Sequence, residues 1–159
     1  MDRLECVRGV VDGILAGQED MSRRRAGFVH LYGVSTVCVL LAIKRGLNPE
    51  VAGVAGMLHD VATYESGSSK EHAARGSVRA GEILAEIGRF AAEEITEISE
   101  AISTHSTKVE DHGPMAELLK DADVLQPYLY DPAVELSEER KRRLEAMMGE
   151  LRLTRHGGA

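Results

Sequence analysis

The chain has 159 residues, enough for one domain with a real hydrophobic core and too few for two comfortable ones. Hydrophobic residues make up 43% of it and charged residues 28%, a globular composition that excludes a disordered chain. A formal net charge of -7 speaks against a binder of nucleic-acid duplex, which needs a basic face for the phosphates; it leaves a small phosphate substrate open, because bound divalent cations reverse the local field.

The pattern predicts helix after helix, with no sustained polar/apolar alternation that would mark strands. A first helix covers Arg3 to Ala16, and Gly17 and a polar run break it. A second begins near Ser22 and runs to about Arg45, with Ala26, His30, Val34, Val37 and Leu41 on one face and Gly46 as its stop. Asn48 as cap and Pro49 at the first position open a third helix, whose pattern, with Val51, Ala55 and His59 along one side, ends around Val61 to Thr63. Glu65 to Ser69 reads as an exposed loop. A fourth helix spans Glu71 to Ile87, and a fifth runs from Ala91 to His105 with Ile95, Ile98, Ile102 and His105 on one face. A polar loop, Ser106 to Gly113, precedes a sixth helix opened by Pro114 and carrying Leu118, Leu119, Ala122, Asp123 and Leu125. Pro127 and Pro132 bracket an irregular stretch, and a last helix runs from Ser137 to about Leu153 with half of a capping box at its start. The expectation is one all-α domain over residues 1–154 with a loose tail at 155–159, no internal repeat and no linker.

Cys6 and Cys38 sit in apolar helical patterns and read as buried, reduced thiols. No uncharged stretch is read as approaching the roughly 20 residues of a membrane span. Asp2, Arg3 and Glu5 do not form a signal-peptide layout, so the expected location is cytoplasmic, with no membrane partner.

Three histidines stand where a core-facing stripe should carry an aliphatic residue: His30, His59 and His105. Asp60 follows His59 directly, and Asp123 lies four residues after Leu119. Burying any of these alone costs several kcal/mol unless it is paired or metal-bound. A single histidine on an apolar face is more often a satisfied core residue than a ligand. Several such groups on separate helices point to a shared partner, and a divalent cation is the simplest, since neutral imidazole and carboxylate are its natural ligands.

The ordered set His30, His59-Asp60, Asp123 resembles the H…HD…D signature of the HD superfamily of metal-dependent phosphohydrolases. The surrounding text is similar too: VHLYGVSTVCVLLA to the first-histidine helix, EVAGVAGMLHDVATY to the helix ending in LHD, EHAARGSVRAGEIL and EISEAISTHSTK to two later histidine segments, and ELLKDADVLQPYLYDP to the LKDAD ending. The resemblance covers roughly Gly27 to Pro132. It implies a compact helical bundle of about six to seven helices in which His30, His59, Asp60 and Asp123 hold one metal. His72 and His105 match the extra histidines of dinuclear branches, where Asp60 would bridge to a second ion. The implied cofactors are one or two divalent transition metals, iron, manganese, cobalt or zinc. The implied chemistry is in-line attack of a metal-activated hydroxide on phosphorus.

Lys108, three residues after His105, is a candidate catalytic contact to a substrate phosphate, or an ordinary surface lysine; Arg24, Arg25 and Lys120 are weaker candidates of the same kind. His112 reads as a solvated loop residue and His156 as irrelevant. Many HD hydrolases carry Lys or Arg three residues after the Asp of the HD pair; here that position is Thr63, which puts transfer of their substrate class in doubt. Small stand-alone members with the extra histidines resemble dinucleoside-tetraphosphate hydrolases. The expected substrate is therefore a nucleotide or another small phosphate ester or anhydride. The alternatives are a mononuclear nucleoside-monophosphate phosphatase and a metal- or nucleotide-binding module without turnover. Apolar faces on the first or last helix leave a homodimer open.

Overall fold

The computed structural model describes residues 2–153; His156 and the rest of the expected tail lie outside them. Among the described residues the backbone forms eight helices and no strand: α1 (Arg3–Ala16), α2 (Met21–Arg45), α3 (Pro49–Leu58), α4 (Val61–Ser66), α5 (His72–Ile87), α6 (Ala92–Thr104), α7 (Pro114–Tyr130) and α8 (Glu138–Glu150). The all-α expectation holds.

Local chemistry sets most of the ends. Asp2, Asp20, Asn48 and Ser137 each accept a hydrogen bond from a backbone N–H in the first turn of α1, α2, α3 and α8, satisfying donors the helix leaves orphaned. Glu94 Oε2 accepts from Ala91 N at 2.9 Å at the start of α6. Gly46 (φ 70°) and Gly88 (φ 66°) end α2 and α5 in the left-handed region, where a Cβ would be strained.

Two expectations need correction. The third helix stops at Leu58; His59 and Asp60 form a turn, with Asp60 at φ -115°, ψ 11°, and α4 restarts at Val61. The turn re-aims the chain so that the side chains of His59 and Asp60 face one point. It also shortens the expected loop, since α4 includes Glu65 and Ser66 and ends at Gly67 (φ 78°). At the other site α7 continues through Pro127 to Tyr130. Proline removes one N–H there, yet the helical turn continues past it, with Asp131 N donating to Pro127 O at 2.9 Å.

The core runs through α2, α3 and α7, with α5 and α6 packed together on one side, α1 beside α3, and α8 over α7. Close approach of α2 and α3 depends on two glycines. Ser35 Oγ donates to Gly53 O at 2.7 Å, and a Cβ on Gly56 would stand 2.8 Å from Ser35 Cα. Behind the HD turn, a Cβ on Gly76 of α5 would stand 2.6 Å from His59 O.

Contrary to the reading of the sequence, α2 is long and apolar enough to cross a membrane by length and composition alone, with mean hydropathy 1.9 over an 18-residue window. In the fold it is a central packing helix: Leu31, Val34, Val37, Cys38 and Leu41 are buried in the core.

A charge network unseen in the sequence ties α2, α7 and α8. Asp121 accepts from Arg45 at 2.6 Å and Arg143 at 2.7 Å; Arg143 reaches Glu117 at 2.8 Å, and Arg45 reaches Glu150 at 2.7 Å. Lys120 belongs to this framework and is not a phosphate contact. It is fully buried, donating to Glu117 Oε1 (2.8 Å), Glu110 O (2.6 Å) and His112 Nδ1 (2.7 Å). His112 is exposed, as expected, but it also serves as that acceptor.

Candidate metal centre

The α2 helix brings His30, the turn after α3 brings His59 and Asp60, the first turn of α5 brings His72, the end of α6 brings His105, and α7 brings Asp123. Their side chains converge on one centre, and all but the fully buried His59 line a cavity of about 420 Å³, which Lys108, Ser137, Glu139 and Arg140 also line.

Four atoms form a tight first set. His30 Nε2 and His59 Nε2 are 3.1 Å apart. His30 Nε2 lies 3.6 Å from Asp60 Oδ2 and 3.5 Å from Asp123 Oδ1; His59 Nε2 lies 3.5 and 3.6 Å from the same two oxygens. Ligands about 2.0–2.2 Å from one ion stand about 3.0 Å apart at octahedral right angles and about 3.4 Å apart at tetrahedral ones, so these edges fit a common cation. The second set shares Asp60 through its other oxygen: Asp60 Oδ1 is 3.5 Å from His105 Nε2 and 3.9 Å from His72 Nε2.

The hydrogen bonds behind the ligand atoms fix how the rings point. Nδ1 of His59, His105, His72 and His30 faces Gly56 O (2.8 Å), Ile102 O (2.7 Å), Ser69 O (3.1 Å) and Gln126 Oε1 (3.1 Å) respectively. A carbonyl oxygen only accepts, so each Nδ1 carries a proton, and in the neutral imidazole Nε2 offers its lone pair to the cavity. Two facing lone pairs at 3.1 Å repel unless a cation or proton lies between them. Asp60 Oδ1 is itself buried and has no hydrogen-bond partner, a costly state for a carboxylate oxygen. The donor set, its spacing and this orphaned oxygen fit divalent metal.

The electrostatics agree. Burial pushes the Asp60 and Asp123 carboxyls up, but the histidines facing both and Lys108 beside Asp123 outweigh it and hold both well below the usual carboxylate range. Both carboxylates are therefore charged at neutral pH. Burial opposes protonation of His30, yet Asp60 and Asp123 raise its pKa above the ordinary value.

Lys108 sits deeper than a loop lysine would. It is nearly buried and donates to Asp123 Oδ2 (2.6 Å) and to His105 O (2.7 Å). Burial, together with the nearby Arg140 and Arg143, outweighs the pull of Asp123 and lowers its pKa. Arg24 is tied to Gln18 O, away from the cavity. Arg25 lines an adjoining groove of about 510 Å³ with Val29, His30, Pro127, Tyr130 and Val134. Thr63 lies off the ligand array, its Oγ1 buried without a partner.

Sequence reading missed Gln126 and Arg140. Gln126 lies one turn past Asp123 on α7, which was a usable signal. Arg140 Nη2 donates to Asp123 Oδ2 at 3.0 Å from α8, and nothing in the spacing of an exposed, polar helix start announces that reach.

A helical bundle with inward histidines and aspartates on five separate segments defines a metal-binding hydrolase class. The HD domain family model matches residues 27–128, and the chain belongs to that family of metal-dependent hydrolases. The fold is similar to that in the crystal structure of a predicted HD superfamily hydrolase from an uncultured Thermotogales bacterium, with a TM-score of 0.60, 20% identity, and coverage of 94% of this chain and 85% of that one. Comparison with curated proteins finds no match.

Proposed function

We propose that the protein is a phosphohydrolase acting on a nucleotide or another small phosphate ester or anhydride at a dinuclear centre. The observation that carries this reading is Asp60, whose two oxygens face separate imidazole sets. His30, His59, Asp60 and Asp123 would hold one ion, and Asp60, His72 and His105 the other. Bound divalent ions supply Lewis-acid charge and lower the pKa of water toward neutrality.

The chain's own residues do the rest. The carbonyls of Gly56, Ile102 and Ser69 and the Gln126 side chain keep the imidazole protons on Nδ1. Lys108 holds Asp123 in place and keeps it ionised. The cavity opens beside the groove walled by Val29, Pro127, Tyr130 and Val134, which offers an apolar surface for the organic part of a substrate.

The test is elemental analysis of protein purified without chelator, then a panel of nucleoside mono- and polyphosphates. About two transition-metal equivalents per chain and turnover that disappears in Asp60→Ala, with helicity retained, are expected. One equivalent favours the mononuclear phosphatase. Metal and nucleotide binding without turnover across the panel favours a binding module.

A further inference from the structure

The α8 helix lies beyond residues 27–128, the segment that the HD family model matches, yet its first turn forms one wall of the metal cavity through Ser137, Glu139 and Arg140. We infer that Arg140 is a substrate-phosphate ligand supplied to the centre by this helix. The inference rests on the phosphohydrolase reading.

Asp123 carries one negative charge and divides it unevenly. Its Oδ1 faces His30 and His59, while its Oδ2 accepts from both Lys108 (2.6 Å) and Arg140 (3.0 Å). The two cations are not equivalent. Lys108 is 7% exposed and has a second anchor on His105 O; Arg140 is 34% exposed, and Asp123 is its one partner among the described residues. Four of the five N–H donors of its guanidinium are therefore uncommitted. Once a divalent cation is held by the Oδ1 side of the centre, Asp123 would have less charge to give Oδ2, and the cavity would hold positive charge in excess of its carboxylates, Glu139 at the rim included. A phosphate dianion supplies the missing charge. The cation free to turn toward it is Arg140, whose planar fork matches two phosphate oxygens at once. Lys108 stays on Asp123.

The experiment compares metal-loaded wild type, Arg140→Ala and Arg140→Lys, reading metal per chain, melting temperature and inorganic phosphate affinity by calorimetry. Metal content and melting temperature should be unchanged. Phosphate affinity should fall roughly tenfold or more in Arg140→Ala, the scale of a lost charge-assisted contact, and less in Arg140→Lys, which keeps the charge but not the fork. Millimolar guanidinium should restore phosphate binding to Arg140→Ala. The inference is overturned if Arg140→Ala binds phosphate like wild type, if it loses metal in step with phosphate, or if wild type binds metal but no phosphate. Phosphate binding that depends on Arg140, with no ester or anhydride hydrolysed, sinks the hydrolase reading and keeps Arg140 as the ligand of a bound phosphate that is not turned over.

Discussion

Asp60 is the residue on which the site turns, because one carboxylate serves two directions. Its Oδ2 joins His30 and His59, and its Oδ1 joins His72 and His105. His72 is the most exposed of the histidines in the two sets, 32% at its side chain, and belongs to the second set alone. His72→Ala should therefore lower the metal content from about two equivalents to about one, with the melting temperature of the metal-free protein unchanged. Elemental analysis with calorimetry checks both; a variant that still holds two ions removes His72 from the set. His30, His59, His105 and Asp123 were legible in the sequence because each interrupts an apolar stripe. His72 came from the family resemblance and Lys108 only from its place three residues after His105, since a polar residue at a helix start or in a loop carries no signal of its own.

At the scale of elements, the centre depends on how closely α2 and α3 approach. Ser35 backs onto Gly56; His30 lies on α2 and His59 in the turn just past the end of α3, both a few residues from that contact. Gly56→Ala would place a methyl against Ser35 Cα, Ser35 N and Cys38 Sγ, all within 2.9 Å. Backbone cannot move aside as a side chain does, so the helices must separate. Overpacking of this kind costs about 1–3 kcal/mol. Urea unfolding should show the loss as a lower midpoint with an unchanged slope, and metal affinity should fall with it. An unaltered midpoint would mean that the interface is softer than its geometry. Most element boundaries were legible from caps and glycine stops. The break at His59 and Asp60 was not, because the apolar pattern runs on from α3 into Val61 and Ala62, and only the site reveals why the helix turns there.

The molecule as a whole is stitched on the far side of α7 by the network of Arg45, Asp121, Arg143, Glu117, Lys120 and Glu150. Burial pushes the Glu117 carboxyl up, but Lys120 and Arg143 outweigh it and hold it below its ordinary value of 4.5; Arg45 does the same for Glu150. A carboxyl whose pKa is lower in the folded protein contributes stability that is present above the unfolded value and lost as pH falls through the folded one. Stability should decline as pH falls below 4.5. Glu117→Gln should flatten part of that decline, at the cost of a less stable protein at neutral pH. Urea midpoints of chelator-treated wild type and variant at neutral and acid pH measure this. Parallel curves would show that Glu117 contributes nothing to acid sensitivity.

What the sequence determined by itself is the run of helices and the ordered polar residues on their inner faces. Periodicity, caps and glycine stops are local, and the cost of a buried, unpaired histidine or aspartate holds in any fold. What only the tertiary structure decided is which groups meet. Lys120, a candidate phosphate contact in the sequence, is fully buried on α7 and paired with Glu117 one turn before it. Arg140, on a helix start with no marked pattern, stands 3.0 Å from Asp123. Both are cations on exposed-looking segments. The environment of Arg140 comes from the packing of α8 on α7, a contact between residues distant in sequence that no local pattern encodes; that of Lys120 comes from the loop before α7, which folds back to offer Glu110 O and His112 Nδ1 as acceptors.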